Sequence, residues 1–481
     1  MNRNDLSTIK WSYVQQFASQ LLGFGISIVL ARLLSPTDFG LMGMIYIIFS
    51  ISTVIIDSGL SISLMRMKNP AESDYSTVFL ANLLIASGIY LLVYILAPYV
   101  SSFYQEEILT NLIRYLGLSM IIVATTSIYK VRFTKLLRFK TLTIITTFST
   151  ILGSTIGVYS ALTGQGVWSI VYMQLTIVTV ASISYFISSK WHPKFEFSIS
   201  NLRKHLSFGY KLLIVQLMDT FFGNFYNIVI GKYFSTHVLG FFTRANTFNK
   251  TIVMGISSPL KQVLLPILSN YKDDQSKLTE IYEVVLYSVI IVMSPVLLYS
   301  AFFSETIFIF LFTDKWIEAA PFFSVICISF IFYPLNTFVY NFLNLKGKSN
   351  TVLKVDIIKK IVLVSSVVIA LIYGDIFYLM YTMFITGLVD LFINLYLISR
   401  LFKIRIINQV IVLFRIVITP LLAVVITYFL SVSYQFIEFS ITDRLILSLG
   451  IFLSLFLVGI RLINFEMITS YINTFKRYKS I

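Results

Sequence analysis

The sequence predicts an all-α polytopic membrane protein: about fourteen transmembrane helices, as two parallel six-helix repeats around a central cavity plus two extra C-terminal helices. Three observations predict it. Hydrophobic residues fill 57% of 481 positions, charged residues only 12%, and mean hydropathy is +0.84, outside the range of soluble domains. Apolar runs recur at about the 20 residues a helix needs to cross the hydrocarbon. Finally, the stretch Leu6 to Met44 returns without a gap 200 residues later as Leu206 to Arg244.

That repeat matches Leu6, Ser7, Gln16, Gly23, Ile28, Val29, Ser35 and Gly40 with Leu206, Ser207, Gln216, Gly223, Ile228, Val229, Ser235 and Gly240, and sets Lys232 opposite Arg32. Both copies follow one plan: an amphipathic lead-in, a long apolar helix, a basic residue, a turn closed by glycine, and another apolar helix. A duplicated ancestral bundle accounts for both.

The first copy supplies apolar runs near 11–33, 41–64, 77–100, 111–129, 141–163 and 166–189. The second supplies 208–231, 243–268, 281–303, 319–345, 352–373 and 375–399, and an unpaired couple follows at 409–430 and 443–464. Run 243–268 is too polar for hydropathy alone and is placed by its alignment with 43–68. The chain thus divides into an N-terminal six-helix lobe (1–189), an interfacial linker helix (190–207), a C-terminal six-helix lobe (208–400), and two additional transmembrane helices with a tail (401–481). In the linker Ile199, Leu202 and Leu206 share one helical face, as in a helix lying at the membrane surface. The first span is too long for a cleaved signal and lacks its small-residue site, so it is expected to remain as an anchor. The largest outward loop is expected near 304–318.

Lysine and arginine collect in alternate loops, as cytoplasmic loops do. Lys130, Arg132, Lys135, Arg138 and Lys140 form one such cluster; Lys190, Lys194, Arg203 and Lys204 another; Arg400, Lys403 and Arg405 a third. Both copies therefore start on the same side, and with an even number of spans both termini are expected in the cytoplasm. The net charge of +15 follows from this asymmetry facing anionic lipid, so no nucleic-acid partner is implied.

Familiar catalytic signals fail. One cysteine, Cys327, excludes an intrachain disulfide and a cysteine-based metal cluster. His192, His205 and His237 sit at loops or interfaces without ligand spacing. Gly23-Phe24-Gly25 lies within a membrane helix, where glycine permits close packing, and Gly164-Gln165-Gly166 is a tight turn. No catalytic residue, metal or resident cofactor is expected, and the chain is not read as an enzyme.

Polar residues inside membrane helices are costly and mark function. At 100° per residue, Gln16, Gln20, Gly23 and Ser27 share a stripe of the first span, and Gln216, Thr220, Gly223 and Asn227 the matching stripe of the seventh. The second span carries Tyr46, Ser50, Asp57 and Ser61 on one face; the eighth carries Asn246, Lys250, Ser257 and Lys261 at the equivalent places. The bland alternative is helix-to-helix hydrogen bonding. Lys250 and Lys261, however, stand eleven residues apart on one face and cannot both reach one surface by snorkelling. A deep basic stripe suits an anionic cargo bearing phosphate or pyrophosphate. Arg32, Lys232 and Arg244, at outer helix ends, fit an exit ring, and Arg66, at an inner end, an entrance. Equally, basic residues at helix ends serve to anchor a span. Asp57, Asp219, Glu283, Asp356 and Asp390 are acids that would bind a coupling proton or sodium ion, with Asp356 a partner for nearby Lys359 or Lys360.

The run Ala31-Arg32-Leu33-Leu34-Ser35-Pro36-Thr37-Asp38-Phe39-Gly40, then Asp57-Ser58-Gly59-Leu60-Ser61, resembles the opening of the bacterial polysaccharide exporters of the multidrug/oligosaccharidyl-lipid/polysaccharide superfamily. More narrowly it is similar to the Wzx-type flippases and the colanic-acid and teichuronic-acid exporters. Pro259-Leu260-Lys261-Gln262-Val263-Leu264-Leu265-Pro266 resembles their eighth helix. The resemblance implies a flippase that moves undecaprenyl-pyrophosphate-linked oligosaccharide from the inner to the outer leaflet by alternating access, for O-antigen, capsule or exopolysaccharide. It implies that Lys250, Lys261 and Arg244 hold the pyrophosphate, although family members are more often arginine-rich there. It also implies contact with membrane lipid and other polysaccharide assembly proteins. A multidrug cation antiporter and a lipid II flippase share the fold. A membrane polysaccharide polymerase is similarly apolar, but would carry a long outward loop with catalytic basic residues.

Overall fold

The computed structural model describes residues 19–57, 59–194, 196–270, 274–434 and 439–463, with backbone alone at 208, 211–212, 259–270, 285, 349 and 433–434. All the regular structure of the described residues is helix, in two compact units, Met1–Thr243 and Arg244–Ile481. Each of the fourteen predicted runs falls mainly on helix where it is described, with 41–64 broken at Gly59, 208–231 at Asn224 and 319–345 at residues 330–332. By length and composition nine described helices can cross a membrane, or up to eleven if each of two bent pairs is one span.

Unit 1 contains α1 (Ser19–Leu33), α2 (Pro36–Asp57), α3 (Leu60–Arg66), α4 (Glu72–Tyr104), α5 (Ile108–Lys135), α6 (Phe139–Leu162), α7 (Trp168–Ser188), α8 (Ile199–Gly223), α9 (Phe225–Tyr233) and the first turns of α10 (Thr236–Asn270). The start of α2 is written locally. Pro36 takes the first helical position, where its missing N–H costs nothing, and Ser35 caps it: the Asp38 N–H donates to Ser35 Oγ at 3.2 Å while the Ser35 N–H donates to Asp38 Oδ2 at 2.8 Å. This is a capping box with aspartate as the returning acid. The repeat restates half of it, with the Val238 N–H on Ser235 Oγ at 3.2 Å. Helix α2 then stops, because Gly59 at φ 69° turns the chain into α3, a conformation that costs glycine little.

The core of unit 1 gathers Leu64, Tyr75, Val78, Ile128, Phe133, Tyr185 and Trp191. Arg132 closes it, its guanidinium 4.6 Å from the Tyr75 ring centre and 4.9 Å from that of Trp191, and 2.9 Å from the Glu72 carboxylate. The first turn of α4 is thereby tied to the last of α5. The linker differs from a single helix over 190–207: the described residues before Ser198 are irregular, hung on α4 by the Lys194 and Ser198 N–H groups donating to Ser76 and Thr77 hydroxyls at 3.3 and 3.1 Å. Helix begins at Ile199, capped by Ser198, and runs on into the seventh span. Ile199 is exposed and Leu202 packs on the Tyr75–Trp191 core.

Unit 2 contains the rest of α10, then α11 (Gln275–Phe302), α12 (Ser304–Phe312), a 3-10 turn (Asp314–Ala319), α13 (Ala320–Ser329), α14 (Tyr333–Leu345), α15 (Ser349–Tyr373), α16 (Ile376–Phe402), α17 (Ile406–Tyr434) and α18 (Ile441–Ile463). Its core is aromatic, with Tyr282 stacked on Phe402 at 5.1 Å and edge-on to Phe338. The segment 304–318, expected as an outward loop, is instead α12 and the 3-10 turn. Phe308, Phe312 and Trp316 recur every four residues and are wholly buried, so the segment folds back onto its own unit.

Candidate functional site

Helix α10 holds the positions of the expected basic stripe. Its buried face is Phe242, Ala245, Asn249, Val253 and Ser257. Asn246 is half-buried beside that face, and the Lys250 side chain is exposed. Lys261 continues the helix, but its side chain lies outside the described residues, as does the whole of Gln16. Arg244 is 3% exposed; its guanidinium lies 4.0 Å over the Phe312 ring and 5.9 Å from that of Trp316. Two aromatic faces offer a cation an attraction that strengthens with loss of water. Residue 249, passed over in the sequence, lies wholly buried with neither amide atom hydrogen-bonded, and the buried Ser257 hydroxyl is in the same state.

The seventh span is broken. Gly223-Asn224 interrupts it, and α9 leaves α8 at 41°. Asn224 Nδ2 donates to the Thr220 carbonyl at 2.8 Å and reaches Ser50 Oγ of α2 at 3.4 Å, while Asn227 Nδ2 lies 3.4 Å from Asn224 Oδ1. Ser50, Thr220 and Asn227, from the two predicted stripes, thus meet through Asn224. That residue's signal was the glycine-asparagine pair, a common helix stop. Gln216 and Gln20 are half-buried on α8 and α1.

Arg32 and Arg66 are exposed, Arg66 in the last turn of α3. Lys232 is engaged, donating to the Phe103 carbonyl at 2.7 Å over that ring.

The acids separate by environment. Asp219 is exposed on α8 and Glu283 half-buried on α11. Asp57 ends α2, half-buried, and borders a small cavity among α2, α4 and α5. In unit 2, Lys359 joins three helices: it lies 3.2 Å from Asp390 of α16 and donates to Asn336 Oδ1 of α14 at 2.8 Å. Asp356, expected to pair with Lys359 or Lys360, accepts the Tyr340 hydroxyl.

His205 was expected at an interface and is fully buried. Its Nδ1 lies 2.8 Å from Ser63 Oγ and its Nε2 3.4 Å from Asp74 Oδ1, so the first turns of α8 are held to α3 and α4. Among the described residues, no group of three or more His, Cys, Asp or Glu is placed to hold a metal ion.

Known proteins place this arrangement in a family. The teichuronic acid biosynthesis protein TuaB of Bacillus subtilis is 23% identical over 67% of this chain and 67% of its own length. The lipopolysaccharide biosynthesis protein WzxC of Escherichia coli is 22% identical over 77% of this chain and 75% of its own. The fold is that of the lipid II flippase MurJ in an inward closed conformation, at a TM-score of 0.76 and 14% identity, covering 96% of this chain and all of that one. Family and fold agree with the expectation of a polytopic exporter of the Wzx type. Residues 29–321, more than half the chain, match the family model described as polysaccharide biosynthesis protein, and the chain belongs to that family.

Proposed function

We propose that this protein is a flippase that carries polyprenyl-pyrophosphate-linked oligosaccharide across the bacterial cytoplasmic membrane for surface polysaccharide assembly, by alternating access with both termini in the cytoplasm. One observation carries the reading: a family model for polysaccharide biosynthesis lies on a chain with a flippase fold. Lys250, Lys261 and Arg244 are assigned to the pyrophosphate, which amines and guanidinium groups hold by charge-assisted hydrogen bonds. Asn246, Ser257, Gln16, Gln20, Gln216 and Asn227 are assigned to neutral contacts with the sugars, and Arg32 and Arg66 to exit and entrance. Coupling to a proton or sodium gradient is assigned to an intramembrane acid, Asp57 before Asp219, because Asp57 is the less exposed of the two. The duplicated lobes 1–189 and 208–400, with 190–207 between them and 401–481 appended, are the proposed evolutionary units.

The test is export in the host. Deleting the gene is expected to pile up polyprenyl-linked oligosaccharide in the inner leaflet and to deplete surface polymer. The parent sequence should correct both, and an equally abundant Lys250→Ala/Lys261→Ala variant should not. An unchanged lipid-linked pool and unchanged polymer, in a strain without a second exporter, would overturn the reading and direct the search to efflux of cationic dyes.

A further inference from the structure

The turn between α5 and α6 carries a leucine where glycine is the usual residue. Helix α5 ends with the Leu137 N–H donating to the Thr134 carbonyl at 3.0 Å and the Arg138 N–H to the Phe133 carbonyl at 2.9 Å, the paired bonds of a Schellman ending. Such an ending needs a left-handed residue, and Leu137 supplies it at φ 55°, against the steric preference of any residue with a Cβ. Leu137 is nevertheless 56% exposed and Leu136 60%, so packing within the unit does not reward either. Hydrocarbon outside the protein would.

Leu136 also lines a cavity of about 260 Å³, whose charged walls are Glu72 of α4, Arg132 of α5, Arg138 of the turn and Lys190 just after α7. Helices α4 and α6 start beside it and α5 and α7 end beside it, so the helix dipoles largely offset and side-chain charge decides the sign. Arg132 and Glu72 balance each other at 2.9 Å. Arg138 and Lys190 remain, both exposed and, among the described residues, without an ion-pair partner. The wall carrying Lys190 is fixed: the Ser189 hydroxyl donates to the Trp191 carbonyl at 3.2 Å and accepts the Trp191 N–H at 3.1 Å. Trp191 itself lies edge-on to Tyr129 at 5.5 Å.

The pocket therefore offers two uncompensated positive charges on a rigid floor, with an apolar lip. Amines and guanidinium groups hold phosphate by charge-assisted hydrogen bonds. The volume is many times the about 10–15 Å³ that admits one water, enough for a phosphate with part of its hydration. Free phosphate would leave the leucine lip unused, whereas a phosphate carried on acyl chains uses both.

We propose that Arg138 and Lys190 hold the phosphate of an anionic phospholipid headgroup, with Leu136 and Leu137 against its acyl chains. The leaflet is the one the basic loops face, where anionic lipid attracts them. The site is separate from the residues assigned to the cargo, and a lipid bound there joins the α5–α6 turn to the segment after α7.

The experiment is native mass spectrometry of the purified full chain in detergent, titrated with dioleoyl phosphatidylglycerol or with dioleoyl phosphatidylcholine, which has the same chains and no net charge. Saturable phosphatidylglycerol binding is expected, tighter than that of phosphatidylcholine and weakened by about tenfold in Arg138→Gln/Lys190→Gln, the loss of two exposed contacts to a charge. Both side chains are exposed, so this variant should keep the parent's elution profile. Arg203→Gln/Lys204→Gln removes the same charge from exposed positions outside the pocket and should bind as the parent does. Leu137→Gly relieves the left-handed turn, so it should raise thermal stability in lipid-free detergent while weakening phosphatidylglycerol several-fold. Equal affinity for the two lipids overturns the proposal, as does parental affinity in the Arg138/Lys190 variant. Displacement of the lipid by millimolar inorganic phosphate, together with unchanged binding in Leu137→Gly, also overturns it by making the site one for free phosphate.

Discussion

Gly40 and Gly240 hold equivalent places in the two repeats, and each lies against the first turn of the other's helix. A Cβ built on Gly40 would stand 1.9 Å from the Thr236 carbonyl oxygen, and one on Gly240 1.9 Å from that of Pro36. Thr236 and Pro36 are themselves equivalent, so the contact is reciprocal, as between elements related by a local two-fold. Gly43 extends it, since a Cβ there would lie 2.7 Å from Thr243 Oγ1. The repeat read in the sequence therefore has a geometric counterpart where α2 and α10 begin, at a distance only glycine permits.

Side chains at this crossing should be costly, because the obstacle is backbone and cannot rotate away. Gly40→Ala or Gly240→Ala should each lower stability by about 1–3 kcal/mol, the usual cost of overpacking. Both would open the same crossing, so the double variant should cost less than the sum of the singles. Thermal unfolding of the purified protein in detergent checks this. Parental stability in either single variant would show that the helices separate freely there.

The buried imidazole of His205 makes the tie between α8 and α4 sensitive to pH. Burial holds its pKa below the ordinary 6.5; Asp74 works in the opposite sense and Lys204 adds to the lowering. In the unfolded chain the group binds a proton first, so the stability it contributes is fully present above pH 6.5. That stability is lost as pH falls from there through the lowered native value. The parent should thus lose more stability than His205→Gln between about pH 7.5 and about pH 5.5, where this side chain titrates. Asp74→Asn should steepen the loss, since it removes the charge that favours the imidazolium. Equal pH profiles for parent and His205→Gln would refute the assignment.

The parts of the molecule that rest on local rules could be read in advance. Ser35, Pro36 and Asp38 start α2 as their chemistry requires, and the apolar runs fall on helices because hydrocarbon leaves the backbone few other choices. What escaped reading depends on neighbours distant in sequence. Asn82 is a lone amide in an apolar run, and only its hydrogen bond to Ser127 of another helix gives it meaning. His205 was placed with the loops and interfaces, and its burial depends on α8 lying against Ser63 and Asp74. The stretch 304–318 was misread because Phe308, Phe312 and Trp316 form helices too short to register as spans. Nothing in the sequence brought Asp390 of another helix to Lys359.

That pairing should reveal itself by an asymmetry. The Lys359 side chain is 11% exposed and that of Asp390 38%, so the lysine depends more on its partner than the carboxylate does. Asp390→Asn strands a buried ammonium and should destabilise the protein by about 1–3 kcal/mol. Lys359→Met leaves a carboxylate that water partly screens, and its cost should be the smaller one. Removing both charges together relieves each stranded ion, and Lys359→Met/Asp390→Asn should therefore be more stable than Asp390→Asn alone. Thermal unfolding of the four proteins closes the cycle. If the double variant loses the sum of the two singles, the residues do not act as a pair, and the 3.2 Å contact contributes nothing to holding α15 against α16.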